Sequence, residues 1–252
     1  MINFFRNIRK ELADDNRPIK YLRYAIGEIV LVVIGILIAL AINNWNENRK
    51  AALQENLYLK RLLLETNQDL NHFAESIKSL EKGNRSIVLF SEAIKSKTIQ
   101  DSLLLQRASD YFKYGSIYPV FTSSKSTFDD LSSTGNLKII KNIKLREALV
   151  KYYADYEQAK EWNQVAVEWA LPLDAPFTVE NDIMKFEPTT SFLFPEQSKQ
   201  QLATDIRKQG VKYISNTAAH YWINQDAIRQ LKRMIRETKA LISLLEMEFN
   251  IE

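Results

Sequence analysis

Residues 24–42 read YAIGEIVLVVIGILIALAI. From Ile29 to Ile42 there is no charge, and eleven of these fourteen residues are Ile, Leu or Val. As a helix the whole stretch spans roughly 28 Å, close to the hydrocarbon thickness of a bilayer. The aliphatic side chains contribute roughly −3 to −6 kcal/mol to insertion. The one carboxylate, Glu28, costs at most about 3 kcal/mol at the bilayer centre and less toward an end. Insertion wins, so residues 24–42 are predicted to form a transmembrane helix, and the lipid bilayer is the first partner the sequence implies.

Aromatic residues stand at both borders of this span, Tyr21 and Tyr24 before it and Trp45 after it. That is the pattern of interfacial anchors. Residues 1–23 hold six basic side chains against three acidic ones, whereas Asn43–Lys60 holds only Arg49, Lys50 and Lys60 as basic residues. The excess of positive charge predicts a cytoplasmic tail at 1–23 and places 43–252 on the far side of the membrane. Met1–Leu12 puts Phe4, Phe5, Ile8 and Leu12 on one face, as a short helix lying on an anionic membrane surface would. A cleaved signal peptide is the rival reading, with Ala39-Leu40-Ala41 as a small-x-small site. The long charged region before the span, and Glu28 at its edge, favour the anchor.

Within the span, Glu28, Gly35 and Ala39 fall on one helix face at 100° per residue. Gly35-x-x-x-Ala39 is a small-xxx-small pair that allows a second helix to approach closely, with the Glu28 carboxyl shielded in the contact. The plainer alternative puts Glu28 among the headgroups, paired with Arg23 or a lipid amine.

Outside the tail the chain carries 28 basic and 28 acidic residues, one of them Glu28 in the span, so the large domain is close to neutral. That argues against nucleic acid as a partner. Glycine and proline are scarce, six of each, which disfavours a turn-rich β architecture. There is no cysteine, which removes disulfides, thiolate metal sites and cysteine nucleophiles from consideration.

From Asn43 onward the apolar period is helical. Leu53, Leu57, Leu64 and Leu70 form a stripe that Leu62, Leu63 and Phe73 widen. The membrane helix is expected to run on as a stalk to a turn at Gly83-Asn84. Further helices are expected over 85–95, from an Asp101-Ser102 cap to about Lys113, and from Thr127 as cap to Gly135 as the C′ residue. A long helix opened by Asn142 carries Leu145, Leu149, Tyr152, Tyr153 and Tyr156 on one face, extended by Trp162, Val165 and Trp169, and ends at Pro172 and Pro176. Irregular chain over 171–195, with prolines at 172, 176, 188 and 195, leads to a helix over 196–209. The last helix is expected from Asn216 to Phe249, with Trp222, Ile223, Ala227, Leu231, Ile235, Ile242 and Leu245 as its core stripe. The fold class is all-α: one N-terminal transmembrane helix continuing into a long-helix bundle, with the stalk and last helices packed together.

Chemical signals are weak. His72 and His220 are isolated, without metal-ligand spacing, and read as packing or surface residues. Asp129 and Asp130 follow Thr127 as acids at a helix N-terminus do. No serine stands in a nucleophile motif and no glycine-rich phosphate loop occurs. Tyr111, Phe112, Tyr114, Tyr118 and Phe121 read as core aromatics, with a ligand pocket as the alternative. No catalytic residue, metal or cofactor is expected.

Two blocks carry a resemblance. The first is Tyr24 to Leu40 as quoted, followed by Asn43-Asn44-Trp45-Asn46-Glu47. The second is Ser126-Thr127-Phe128-Asp129-Asp130-Leu131-Ser132-Ser133-Thr134-Gly135-Asn136-Leu137, followed by Ile140-Lys141-Asn142 and Leu145-Arg146. Together they resemble the DUF6090 type, a family of uncharacterised membrane proteins of Bacteroidota-type bacteria. The resemblance implies a bacterial inner-membrane protein, and with the charge bias above the large domain is expected in the periplasm. It implies no activity. It marks Glu28 and the turn from Thr127 to Asn136, with Asp129, Asp130 and Gly135, as points of family-specific structure or contact.

The expectation is therefore an interaction or scaffold protein assembling with itself, as a homo-oligomer, or with another membrane protein. A ligand-sensing module signalling through a partner and an enzyme with an unfamiliar site are the alternatives.

Overall fold

A computed structural model of the chain describes residues 18–187 and 189–249, with side chains described from Leu22 onward apart from Arg23 and Tyr24. The expected surface helix at Met1–Leu12, the side chains of Tyr21 and Tyr24, and Pro188 lie outside the described residues. Among the described residues there is no strand. The helices are α1 (Pro18–Lys95), α2 (Asp101–Asp110), α3 (Ser126–Ser133), α4 (Ile143–Glu180), α5 (Lys199–Lys208) and α6 (Gly210–Phe249). A π-helical turn, Tyr111–Gly115, continues α2, and short 3-10 turns occupy Asn136–Ile139, Ile183–Phe186 and Ser191–Leu193.

The chain divides into two compact units, Met1–Leu57 and Tyr58–Glu252, and α1 contributes to both. In the first unit every side chain from Ile29 to Ile42 is exposed. This is the one helix among the described residues long and apolar enough to cross a membrane.

The second unit is a bundle of three long segments. The pairs Asp69 with Tyr152 and Phe73 with Tyr156 keep one sequence offset, so α1 and α4 run parallel. Tyr152 with Thr238 and Asn142 with Glu248 set α6 antiparallel to α4. Ser91 with Thr217, 3.0 Å apart, sets it antiparallel to α1 as well. The expected packing of the stalk segment on the last helix is therefore present. The main core joins Leu62, Phe73 and Leu80 to Leu149, Tyr156, Leu231 and Leu245. A second core joins Phe90 to Leu104, Tyr111, Ile206 and Tyr213. Asn142 caps α4 as expected, its side chain accepting from the Leu145 N–H at 3.2 Å.

Five local expectations are corrected. There is no turn at Gly83; α1 runs through it. A Cβ at that position would lie 2.7 Å from the Tyr114 carbonyl oxygen, so glycine serves close approach rather than a turn. Of the expected α1 stripe, Leu53, Leu57 and Leu64 are exposed and Leu70 is half-buried, while the widening residues Leu62 and Phe73 are buried, on a face that also carries Thr66, Asp69 and Ile77. Pro172 and Pro176 do not end α4. They sit one turn apart on its exposed side, where the carbonyls of Glu168 and Pro172 lose their helical N–H donors. Gly210 opens α6 six residues before Asn216, buried against Ile94. Finally, Trp162, Val165, Trp169 and Trp222 extend no core; all four are exposed.

Candidate functional site

In the first unit the helix carries Glu28, Gly35 and Ala39 on one face. Glu28 is half-buried, Ala39 is exposed, and a Cβ at Gly35 would meet nothing within 4 Å. Trp45 is exposed, with the Arg49 guanidinium 5.8 Å from its ring centre.

In the second unit the turn expected to be special is held from α1. Ser126 and Thr127 open α3, but Thr127 does not cap it. Its hydroxyl donates to Glu65 Oε1 at 2.8 Å, the Ser126 hydroxyl donates to the same oxygen at 2.5 Å, and the Thr127 N–H reaches both Glu65 oxygens at 3.2 Å. The carboxylate of another helix thus takes the place of an N-cap side chain and meets the positive end of α3. One turn along α1, Asp69 accepts from the Ser123 hydroxyl at 2.7 Å, the Ser124 N–H at 2.6 Å and the Tyr152 hydroxyl at 3.0 Å. Burial pushes the Asp69 carboxyl up, the three hydrogen bonds pull it back in part, and the Glu65 charge raises it again, leaving it above its ordinary value. Asp130 accepts from the Tyr58 hydroxyl at 3.0 Å, and Asp129 is exposed, 3.8 Å from Lys125. Gly135 takes a left-handed conformation, φ +69°, as the C′ reading predicts, and Asn136 begins the 3-10 turn beyond it. These groups hold one another, so the turn is a docked structural element.

A centre that the sequence does not announce lies where the end of α4 meets the start of α6. Asp174 Oδ2 accepts from the Tyr118 hydroxyl at 2.5 Å and lies 2.6 Å from His220 Nε2. Its Oδ1 accepts from Asn216 Nδ2 at 2.5 Å, and Asn216 Oδ1 accepts from the Tyr111 hydroxyl at 2.6 Å. Burial raises the Asp174 carboxyl, but the bonds from His220, Tyr118 and Asn216 outweigh it and leave it below the usual carboxylate value. Burial and the neighbouring Asp174 push the Tyr118 and Tyr111 hydroxyls up, so both stay protonated donors. His220 is 1% exposed and its Nδ1 has no hydrogen-bond partner among the described residues.

Beside this network lies a cavity of about 210 Å³, walled by Phe112, Phe177, Ile183 and Met184 and bordered by Asp174, Glu187 and His220. Of the aromatic group from Tyr111 to Phe121, Tyr111 and Phe121 fill the core, Phe112 walls the cavity, Tyr118 serves Asp174, and Tyr114 lies under Lys82 Nζ at 3.5 Å. A His–Asp pair can orient or shuttle a proton. The nearest serine on the cavity wall, Ser116, gives its hydroxyl to the Phe112 carbonyl at 2.9 Å rather than to His220. His72 is exposed on α1. No three His, Asp or Glu side chains converge as metal ligands among the described residues.

Asp174 was missed because its partners come from two distant segments, Tyr118 in a connector and Asn216 and His220 one turn apart on α6, and no local spacing ties either to position 174. Glu65 and Asp69 carry a signal: they are acids one turn apart, inside the three-and-four spacing of Leu62, Thr66, Asp69 and Phe73.

The model of a family of unknown function, DUF6090, matches residues 28–165, more than half of the chain. The matched span includes the Glu65–Asp69 docking site and stops short of Asp174 and His220. No curated protein and no solved structure matches the chain.

Proposed function

The chain belongs to the DUF6090 family, and on that premise we propose that it is a membrane-anchored helical interaction protein that assembles with itself or with a membrane partner. In this reading residues 24–42 cross a bacterial inner membrane, 1–23 stay in the cytoplasm and 43–252 stand in the periplasm. The observation that carries it is a tryptophan stripe on the bundle. Trp162, Val165 and Trp169 are 60%, 59% and 58% exposed along one face of α4, and Trp222 of α6, 53% exposed, meets Trp169 edge-on at 5.9 Å. Three indoles more than half exposed present on the order of 400 Å² of aromatic surface, the size of patch that marks an interaction site. Tryptophan is also the residue most enriched where binding energy concentrates.

The Glu28–Gly35–Ala39 face is the second contact of the proposal. The test is purification from gently solubilised membranes, with complex mass and co-purifying chains determined. Trp169→Ala with Trp222→Ala should dissociate the complex or weaken it at least tenfold, and Gly35→Leu should weaken it independently. A wild-type monomer without a stoichiometric partner, or a complex indifferent to these changes, overturns the reading.

One observation favours a second reading, a ligand-responsive module. The cavity beside Asp174 combines apolar walls with convergent polar groups, which is how small-molecule sites are built.

A further inference from the structure

The cavity beside Asp174 has a chemical bias. Among the described residues its lining includes two carboxylates, Asp174 and Glu187, and no lysine or arginine. His220 presents Nε2 to Asp174, so whichever charge the ring carries, the lining is net negative. A carboxylate has about four lone-pair sites. Asp174 uses two on Oδ2 and one on Oδ1, which leaves one site on Oδ1 by this count, and its side chain is 18% exposed. The same lining holds two aromatic rings, Phe112 and Phe177, and Met184. Ring faces and carboxylates attract the same species, a cation that also has an apolar body.

We infer that this cavity binds a small organic ammonium ion, its nitrogen on Asp174 and Glu187 and its apolar body against Phe112, Phe177 and Met184. Size bounds the ligand. A dry cavity of about 150 Å³ holds benzene, so about 210 Å³ admits a single-ring or short branched amine. The inference rests on the ligand-responsive reading and is independent of the tryptophan stripe.

The test uses the full chain in lipid nanodiscs and isothermal titration with three probes of one shape: 2-phenylethylamine, 2-phenylethanol and phenylacetate. The amine should bind, and at least tenfold more tightly than the other two. Glu187→Gln should weaken it about tenfold, the size of one charge-assisted hydrogen bond. Met184→Trp, which fills the cavity from its half-exposed rim, should abolish binding while the helical circular dichroism stays unchanged. If the alcohol or the carboxylate binds as tightly as the amine, the ammonium assignment is wrong and the ligand-responsive reading stands. If none of the three binds, both are overturned.

Discussion

Asp69 is fully buried and holds three donors from two other segments, so its removal and its neutralisation have different consequences. Asp69→Ala leaves the Ser124 N–H without its acceptor and the Tyr152 hydroxyl with Thr238 alone, and the loss costs about 2–3 kcal/mol. Asp69→Asn keeps one acceptor, and the two hydroxyls can turn to accept from its amide, so at neutral pH it costs about 1 kcal/mol or less. The pH dependence has a definite sign. The folded-state carboxyl is raised, chiefly by burial. Its contribution to stability is therefore fully present below the ordinary carboxyl value of 3.8 and is lost as pH rises through the raised folded value. The stability of the wild type relative to Asp69→Asn should grow as pH is lowered from neutral toward that range. Thermal melts of both proteins in one detergent, followed by circular dichroism at several pH values, read this directly. A gap that closes on acidification contradicts a burial-dominated carboxyl. Asp174 has the opposite sign: its depressed carboxyl stabilises above the ordinary range and loses that contribution as pH falls through the lowered value.

At the scale of elements, α1 is decided by what its buried face must touch. Glycine in a helix interior normally gives up about 1 kcal/mol relative to alanine, yet α1 passes straight through Gly83. The Tyr114 carbonyl oxygen would stand 2.7 Å from a Cβ there, and backbone cannot rotate aside. Gly83→Ala is therefore expected to destabilise by about 1–3 kcal/mol, overpacking outweighing propensity. A melting temperature that rises instead would remove close approach as the reason for glycine. The same physics separates what was legible in the sequence from what was not. Helix existence, the Asn142 cap and the Gly135 terminus are local, and local spacing finds them. The choice of buried face on α1 is not local. Leu53, Leu57 and Leu64 look like a core stripe, but the face carrying Thr66 and Asp69 is buried because residues 123–127 and Tyr152 supply its donors. Likewise the Trp162–Trp169 stripe has helical spacing suited to a core and faces outward, because Asn163 and Ala166 take the inward positions. Asn163 donates there to the Pro119 carbonyl at 3.0 Å.

At the scale of the whole molecule, the proposed topology rests on where charge lies, because a neutral large domain gives no preference of its own. Six basic residues before the apolar helix against three after it set the bias. Two outcomes compete with it, the reverse orientation and release of the domain by cleavage at Ala39-Leu40-Ala41, and one experiment separates all three. The chain has no cysteine, so single cysteines report position without a background. Ser133 is exposed at the end of α3, where Ser133→Cys changes little else. Asn7→Cys marks the tail. In cells whose outer membrane alone is permeabilised, a membrane-impermeant maleimide should label Ser133→Cys at once and Asn7→Cys only after the inner membrane is lysed. The reversed pattern would put the bundle in the cytoplasm and make the positive tail a poor guide. A labelled bundle released into the soluble fraction, with a mass that begins at Ile42, would make residues 1–41 a signal sequence. The Glu28–Gly35–Ala39 face would then have no part in assembly, and the tryptophan stripe would have to account for it alone.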